Sequence, residues 1–397
     1  MQRKRGLYIL ISGLMLLSML LSACGPSATP TAEEQVEVEP TEVEEVEEVE
    51  EEPTEAGEME EEAPVVGFFM PDKKIARYET KDVPLFREKL NEVCPECELI
   101  AHISDSDPVE QQNAVEQAIT NGADVIVIMP VDTKAAAAIA DNAKSKGIPV
   151  VAYSRLLENS DGVTVHIGFK LRDMGEAQAQ SVIKALEERE IEKPWDIAMI
   201  NGSPTDSNMP PIKEGAMSVF QPYIDAGDLN IFRSVDVQDW DPAKAQAAME
   251  QILTASGGDI DAVYCMNDGM AGGVHAAINA AGIQPVPPIT GLDASLAAIQ
   301  RILVGEQYST VYLPIENMTD IAGDVTEALL ETGEVPEEMI DGMIDNGATE
   351  LPTVSIPVTN VEKDDIEEVI IGQGFWTVED ICTPEYEEAC QEAGLLE

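Results

Sequence analysis

Two α/β lobes, each a doubly wound parallel sheet with helices on both faces, are predicted by three features of the sequence. First, short apolar runs recur from residue 65 onward, at 65–70, 98–103, 124–131, 148–153, 163–169, 196–201, 230–237, 262–267, 288–292 and 308–313. Second, most of the intervening stretches carry apolar residues at helical spacing, such as Val115 and Ile119, or Met249, Ile252 and Leu253. Runs of this length alternating with helices mean βαβ units and a parallel sheet. Third, ten runs are many for one sheet but suit two of about five or six strands, and the 333 residues of 65–397 exceed one ordinary core.

The chain opens on Arg3, Lys4 and Arg5, followed by an apolar run from Gly6 to Leu20 that ends in Leu21-Ser22-Ala23-Cys24. A positive start, a short apolar core and small residues before the cut form a secretory signal. The run is too short for a span of ~20 residues. The Cys directly after the small residues resembles the lipobox of bacterial lipoproteins, which implies cleavage after residue 23 and a diacylglyceryl group on Cys24. Residues 25–64 hold 17 Glu and no Lys or Arg. Such a segment cannot bury enough apolar surface to offset its chain entropy, so it reads as a disordered acidic tether next to the anchor.

The formal charge is −53. Setting aside the leader's three positive charges and the tether's 17 Glu leaves −39 on 65–397. A body that acidic is repelled by phosphate, which argues against nucleic acid as a partner.

Cys94 and Cys97 stand in Cys-Pro-Glu-Cys, and Cys382 and Cys390 lie near the C-terminus. In an oxidising compartment each pair reads as a local disulfide. A thioredoxin-like redox site needs its first Cys at a helix N-terminus. Here the motif instead follows the amphipathic stretch Leu85, Phe86, Leu90, Val93. Cys265, in Ala-Val-Tyr-Cys-Met, is expected to be a buried thiol. Pro108 and Pro242 are expected to start helices, and Asn121-Gly122 and Lys146-Gly147 to end them.

Ligands of open parallel sheets bind beyond the carboxyl ends of the strands. The residues placed there run from Pro71 to Tyr78, with Ser104 to Asp107, Asp132-Thr133 and Ser154-Arg155 after the next runs. Ser203 to Asn208, Asp239-Trp240, Asn267-Asp268 and Asp293 follow. Hydrogen-bonding groups and an aromatic plate suit a polyhydroxylated ligand, whose hydration they replace while the ring takes its C–H face. Asn, Asp and Ser are also ordinary turn and cap residues, but Arg77, Arg155 and Trp240 have no capping role. No Gly-x-Ser-x-Gly, His-Glu-x-x-His or phosphate loop occurs, and His102, His166 and His275 fall in different elements. No catalytic residue, metal or cofactor is therefore assigned.

At these residues the chain resembles sugar-binding proteins of type I periplasmic-binding-protein architecture, above all the xylose-binding group that serves ABC importers. Gly67 to Pro71, Gly122 to Ile128, Ala152 to Arg155, Gly202-Ser203-Pro204 with Asn208, Gly215-Ala216-Met217, Asn267 to Gly273, Gly291 to Ala294, and Asn346-Gly347 before Pro352 occur in the family's order. The resemblance implies a lipid-anchored extracytoplasmic protein that captures a monosaccharide or related ligand between two lobes and passes it to an importer permease. A monomer and no enzymatic activity are expected. A sensory protein of the same fold, signalling to a membrane receptor, is the alternative; a carbohydrate-active enzyme is the more distant one. The lobes would be 65–167 with 313–345, and 168–312 with 346–397, joined by three crossovers near 168, 313 and 345.

By position, ligand contacts are implied at Lys74, Arg77, Arg155, Asn208, Trp240, Asn267 and Asp293, with Tyr78 in the pocket wall. Three places depart from the family pattern. Ser154 replaces an aspartate, Lys170-Leu171 replace Asp-Asn, and Leu313 replaces a lysine. A site built to hydrogen-bond a hydroxyl rejects analogues lacking it, so these losses argue against xylose itself and for a less hydroxylated or bulkier ligand.

Overall fold

The computed structural model describes residues 63–396. The expected leader 1–24, with the Cys24 expected to accept a lipid, and all but the end of the expected 25–64 tether lie outside the described residues. The strands are β1 (Val65–Met70), β2 (Glu98–Ile103), β3 (Val125–Ile128), β4 (Val150–Tyr153), β5 (Val165–Phe169) and β6 (Trp195–Asn201). They continue with β7 (Leu229–Asp236), β8 (Ala262–Cys265), β9 (Thr310–Tyr312), β10 (Gly342–Asp345), β11 (Glu350–Ile356) and β12 (Thr359–Val361). The helices are α1 (Val83–Val93), α2 (Pro108–Thr120), α3 (Ala137–Ser145), α4 (Leu171–Glu188), α5 (Met209–Ala226) and α6 (Pro242–Ser256). After them come α7 (Asp268–Ala280), α8 (Leu296–Leu303), α9 (Ile315–Thr332), α10 (Val378–Ile381) and α11 (Glu387–Glu392).

The first lobe is one sheet in the order β10-β11-β5-β4-β3-β1-β2, parallel except for the antiparallel edge strand β10. Its central strands β3, β4 and β5 are buried on both faces, as a helix-covered parallel sheet requires. The second lobe has the parallel set β7-β6-β8 and the antiparallel pair β9-β12. The run expected as a strand at 288–292 makes only single bridges, Val263 to Ile289 and Leu292 to Val311, and these join the two sets. Pro108 and Pro242 do open helices. The preceding Asp107 and Asp241 accept hydrogen bonds from the first free amides of α2 and α6.

The chain passes between lobes at 169–171, 312–315 and 356–359: α4 packs on β8, β9 and β12, whereas α9 packs on α1, β3 and β5. The third passage corrects the expected one near 345, and with it the assignment of 346–356 to the second lobe. Asn346-Gly347 turns a hairpin, and β11 returns into the first sheet beside β5 before the chain crosses. The structure joins Cys94 to Cys97, where α1 ends, and Cys382 to Cys390 in the C-terminal segment. Among the described residues Cys265 is the free thiol, and burial pushes it up to about 12.

The second lobe rests on a close crossing of α4 and α5. A Cβ on Gly175 would lie 1.8 Å from the carbonyl oxygen of Ile212, and one on Gly215 would lie 2.1 Å from that of Arg172. Both clashes are with backbone, which cannot swing aside. Overpacking costs ~1–3 kcal/mol even where side chains can give. Gly175→Ala is therefore expected to destabilise the protein by at least about 2 kcal/mol, seen as a lower thermal midpoint in circular dichroism. An unchanged midpoint would mean that the crossing is looser than the structure has it.

Candidate functional site

The carboxyl ends of both sheets face one another and bring the strand-end loops together. Between them lies a small chamber of about 40 Å3, and beside it a wider mouth cavity of about 530 Å3. Arg77, Tyr78 and Arg155 reach the chamber from the first lobe, and Asn208, Trp240, Asn267 and Asp293 reach it from the second. Lys74 does not line the chamber. It lines the mouth and pairs across the lobes with Asp241 at 3.4 Å.

Arg155 is held from three sides. Its Nε lies 2.7 Å from Asp206 Oδ2 on the opposite lobe, Nη1 donates to the carbonyl of Pro130 at 3.0 Å, and Nη2 donates to the Tyr78 hydroxyl at 3.4 Å. Asp206 is equally engaged. Its Oδ2 also accepts from Trp240 Nε1 at 3.0 Å, and its Oδ1 accepts from the backbone amide of Asn208 at 2.9 Å. The sequence places Asp206 among the strand-end residues but not among the ligand contacts, because an Asp among Ser, Thr and Asn reads as turn chemistry; only the facing lobe gives it an arginine.

Arg77 is the opposite case. Its Nε lies 3.6 Å from Asp293 Oδ1 across the cleft and 3.8 Å from Asp82 Oδ2. These are ion-pair distances, too long for good hydrogen bonds, and Arg77 Nε and Nη1 are buried without a hydrogen-bond partner. Asp82 Oδ1 accepts from the Tyr153 hydroxyl at 2.8 Å. Asn208 Oδ1 is likewise buried and unpartnered. Burial pushes the Asp293 carboxyl up to about 7, against the pull of the Arg77 guanidinium. The same burial raises Asp82.

The loops that aim these groups are strained. Ser154, Asp239, Trp240, Asp293 and Ala294 stand at φ of 63, 62, 53, 99 and 48°, each costing ~1–3 kcal/mol and persisting only where the surroundings impose it. The surroundings do: Ser154 N donates to Ile167 O at 2.7 Å, Asp293 N to Val311 O at 3.0 Å and Ala294 N to Thr310 Oγ1 at 3.2 Å. Trp240 is also fitted by Gly202, where a Cβ would lie 2.1 Å from the indole Cη2. Asn267 serves partly as a cap, since its Oδ1 accepts from Met270 N at 3.0 Å at the start of α7, leaving Nδ2 as a donor. Asp268 braces the second-lobe wall, accepting from Ser295 N at 2.8 Å, Gln307 Nε2 at 2.8 Å and Thr310 Oγ1 at 3.1 Å.

Of the departing positions, Ser154 and Leu313 line the chamber. Lys170 is exposed, and Leu171 packs on the core from the first turn of α4, so neither reaches it. Apolar wall residues that the sequence did not single out are Ile75, Phe169, Ile212 and Leu292. His166 is buried, and its imidazole, pushed down to about 4 by burial, contacts Thr353 Oγ1 at 2.9 Å.

Residues 66–334 match the periplasmic binding protein domain family model. The chain is 31% identical over 310 residues to the D-xylose-binding periplasmic protein of Escherichia coli, covering 78% of this chain and 90% of that one. An ABC transporter solute-binding protein from Clostridium phytofermentans, solved with bound β-D-glucose, superposes with a TM-score of 0.74 at 27% identity, over 80% of this chain and 99% of that one. A carbohydrate transporter solute-binding protein from Chloroflexus aurantiacus in complex with D-glucose gives 0.72 at 27% identity, over 79% and 97%. With its two α/β lobes and a polar chamber between them, the chain belongs to the periplasmic binding protein family, a family of binding proteins and not of enzymes, beside the D-xylose-binding proteins.

Proposed function

We propose that this protein captures a monosaccharide or sugar-like ligand in the interlobe chamber and delivers it to an ABC importer. It does so from the outer side of the cytoplasmic membrane, anchored by lipid on Cys24 and held off the surface by the 25–64 tether. The observation that carries the reading is the set of buried polar atoms without partners in the chamber, Arg77 Nε and Nη1 with Asn208 Oδ1, beside the Trp240 indole. Leaving such an atom unpaired costs ~1–3 kcal/mol, which a ligand hydroxyl relieves. The sugar-bound relatives support the ligand class. A ligand that touches Arg77 on one lobe and Asn208 or Trp240 on the other favours the closed form by those differential contacts alone. Among the described residues no helix is long and apolar enough to cross a membrane.

Ser154 and Leu313 make the chamber less polar than the family pattern, and exposed Lys170 does not compensate. The preferred ligand is thus less hydroxylated or bulkier than xylose. Titration calorimetry with xylose, glucose and their deoxy analogues tests this. Saturable binding without turnover is expected, weakest for xylose; tight xylose binding would show that the departures do not set specificity.

Trp240→Ala is expected to weaken sugar binding at least about tenfold, equivalent to ~1.4 kcal/mol. Tryptophan fluorescence that no bound sugar alters would count against stacking at Trp240. A hydroxyl that donates to Asp293 is held more strongly by the ionised carboxylate than by the neutral acid. With that group lifted to about 7, affinity is highest above pH 8 and falls towards pH 6, by about tenfold at most. Asp293→Asn should flatten this profile. Cys24→Ser is expected to move the protein from the membrane fraction to the soluble one, as cell fractionation would reveal.

A further inference from the structure

The cleft continues beyond the chamber. Ile75, Arg77, Trp240, Asn267 and Asp293 line both the chamber and the mouth cavity, so the two spaces are continuous. The chamber alone, about 40 Å3, is far below the ~300–1,000 Å3 usual for small-ligand sites, so a sugar seated on its polar atoms extends into the mouth, which at about 530 Å3 lies within that range.

The mouth is closed off by parts of the chain outside the two sheets. Leu296, Ala297 and Gln300 come from α8, and Phe375 and Trp376 come from the C-terminal segment. The Trp376 indole is fixed by groups from both lobes: its Nε1 donates to the carbonyl of Ala294 at 2.8 Å, and Lys81 Nζ stands 4.1 Å from its ring centroid. Lys81 also donates to the carbonyl of Phe375, whose ring packs edge-on against Tyr312 with centroids 5.1 Å apart. A preset aromatic plate at a ligand entrance needs little ordering on binding.

Of the charged groups lining the mouth, Lys74 pairs with Asp241, Arg301 and Asp268 are held by neutral and backbone partners, and Arg77 and Asp293 stand at the border with the chamber. Arg301 donates from Nε and Nη2 to Gln307 Oε1 at 3.1 and 2.9 Å, and from Nη2 to the Asp268 carbonyl at 2.9 Å. The Asp268 carboxylate is taken by Ser295, Gln307 and Thr310. Carbon of Ile75, Ala76, Leu296, Ala297 and Trp376 makes up most of what remains. Away from Arg77 at the chamber border, such a wall offers few free donors to a second sugar ring but a good surface to an apolar one.

We infer that the mouth is a second subsite that takes the apolar aglycone of a glycoside, so that the ligand is a sugar carrying an apolar, ring-sized substituent. This rests on the sugar reading of the chamber. The test is titration calorimetry of the processed protein with glucose, xylose, the phenyl α- and β-glycosides of each, and cellobiose. At least one phenyl glycoside should bind tenfold or more tighter than its parent sugar. Trp376→Ala should abolish that gain while leaving the parent's affinity within twofold. Ala297→Phe, a substitution on the exposed face of α8 that fills the mouth, should do the same with the C-terminal segment unaltered in sequence. Parent sugars that bind while every phenyl glycoside binds no better would overturn the inference and leave the sugar reading standing. So would a gain that survives both variants, or a preference for cellobiose over the phenyl glycosides. Binding of neither sugars nor glycosides would overturn both.

Discussion

The constraint on which the site depends is the buried ion pair between Arg155 of the first lobe and Asp206 of the second. Removing two charges from water is expensive, and the attraction between them compensates only when their remaining hydrogen bonds are made. Here they are made. Pro130 and Tyr78 satisfy the guanidinium, and Trp240 and the Asn208 amide satisfy the carboxylate. The pair thereby orients the aromatic plate and the Asn208 turn as well as joining the lobes. Losing either partner would strand a buried charge, a change worth ~3–5 kcal/mol. Arg77, with donors unused and two carboxylates at longer range, is left as the cation that answers to a ligand.

Backbone geometry carries the same design. Positive φ at Ser154, at Asp239-Trp240 and at Asp293-Ala294 turns the chain sharply at strand ends, so side chains point into the cleft and not along the sheet. Bonds to β5 and β9 fix the Ser154 and Asp293-Ala294 turns, and the Asp206 carboxylate and Gly202 seat Trp240. Strain held by a rigid sheet presents polar groups already aimed, which lowers the ordering cost of binding.

The apolar runs and helix starts were legible because burial on both faces imposes continuous hydrophobicity on β3 to β5, and Asp107-Pro108 and Asp241-Pro242 are local capping signals. The β10–β11 hairpin was not. β10 alternates half-buried and exposed residues at a sheet edge, and Pro352 within β11 reads as a strand breaker. Asn346-Gly347 was noticed, yet its hairpin role shows only in the pairing, with Asn346 Nδ2 donating to the carbonyls of Leu157 and Ser160. In the site, residue types without a local structural task, the arginines and Trp240, stood out in the sequence. Asp206 did not, because its function is defined by a residue 51 positions away on the other lobe. The mouth was also hidden, since Trp376 reaches it from a segment with no strand periodicity to place it.

The most direct test of the account is the structure of the protein with bound glucose. Ligand hydroxyls are expected within ~2.7–3.2 Å of Arg77 Nε or Nη1 and of Asn208 Oδ1, with a ring face on Trp240 and an unbroken Arg155–Asp206 pair. Glucose held outside the chamber, or held inside it only after that pair has parted, would contradict it.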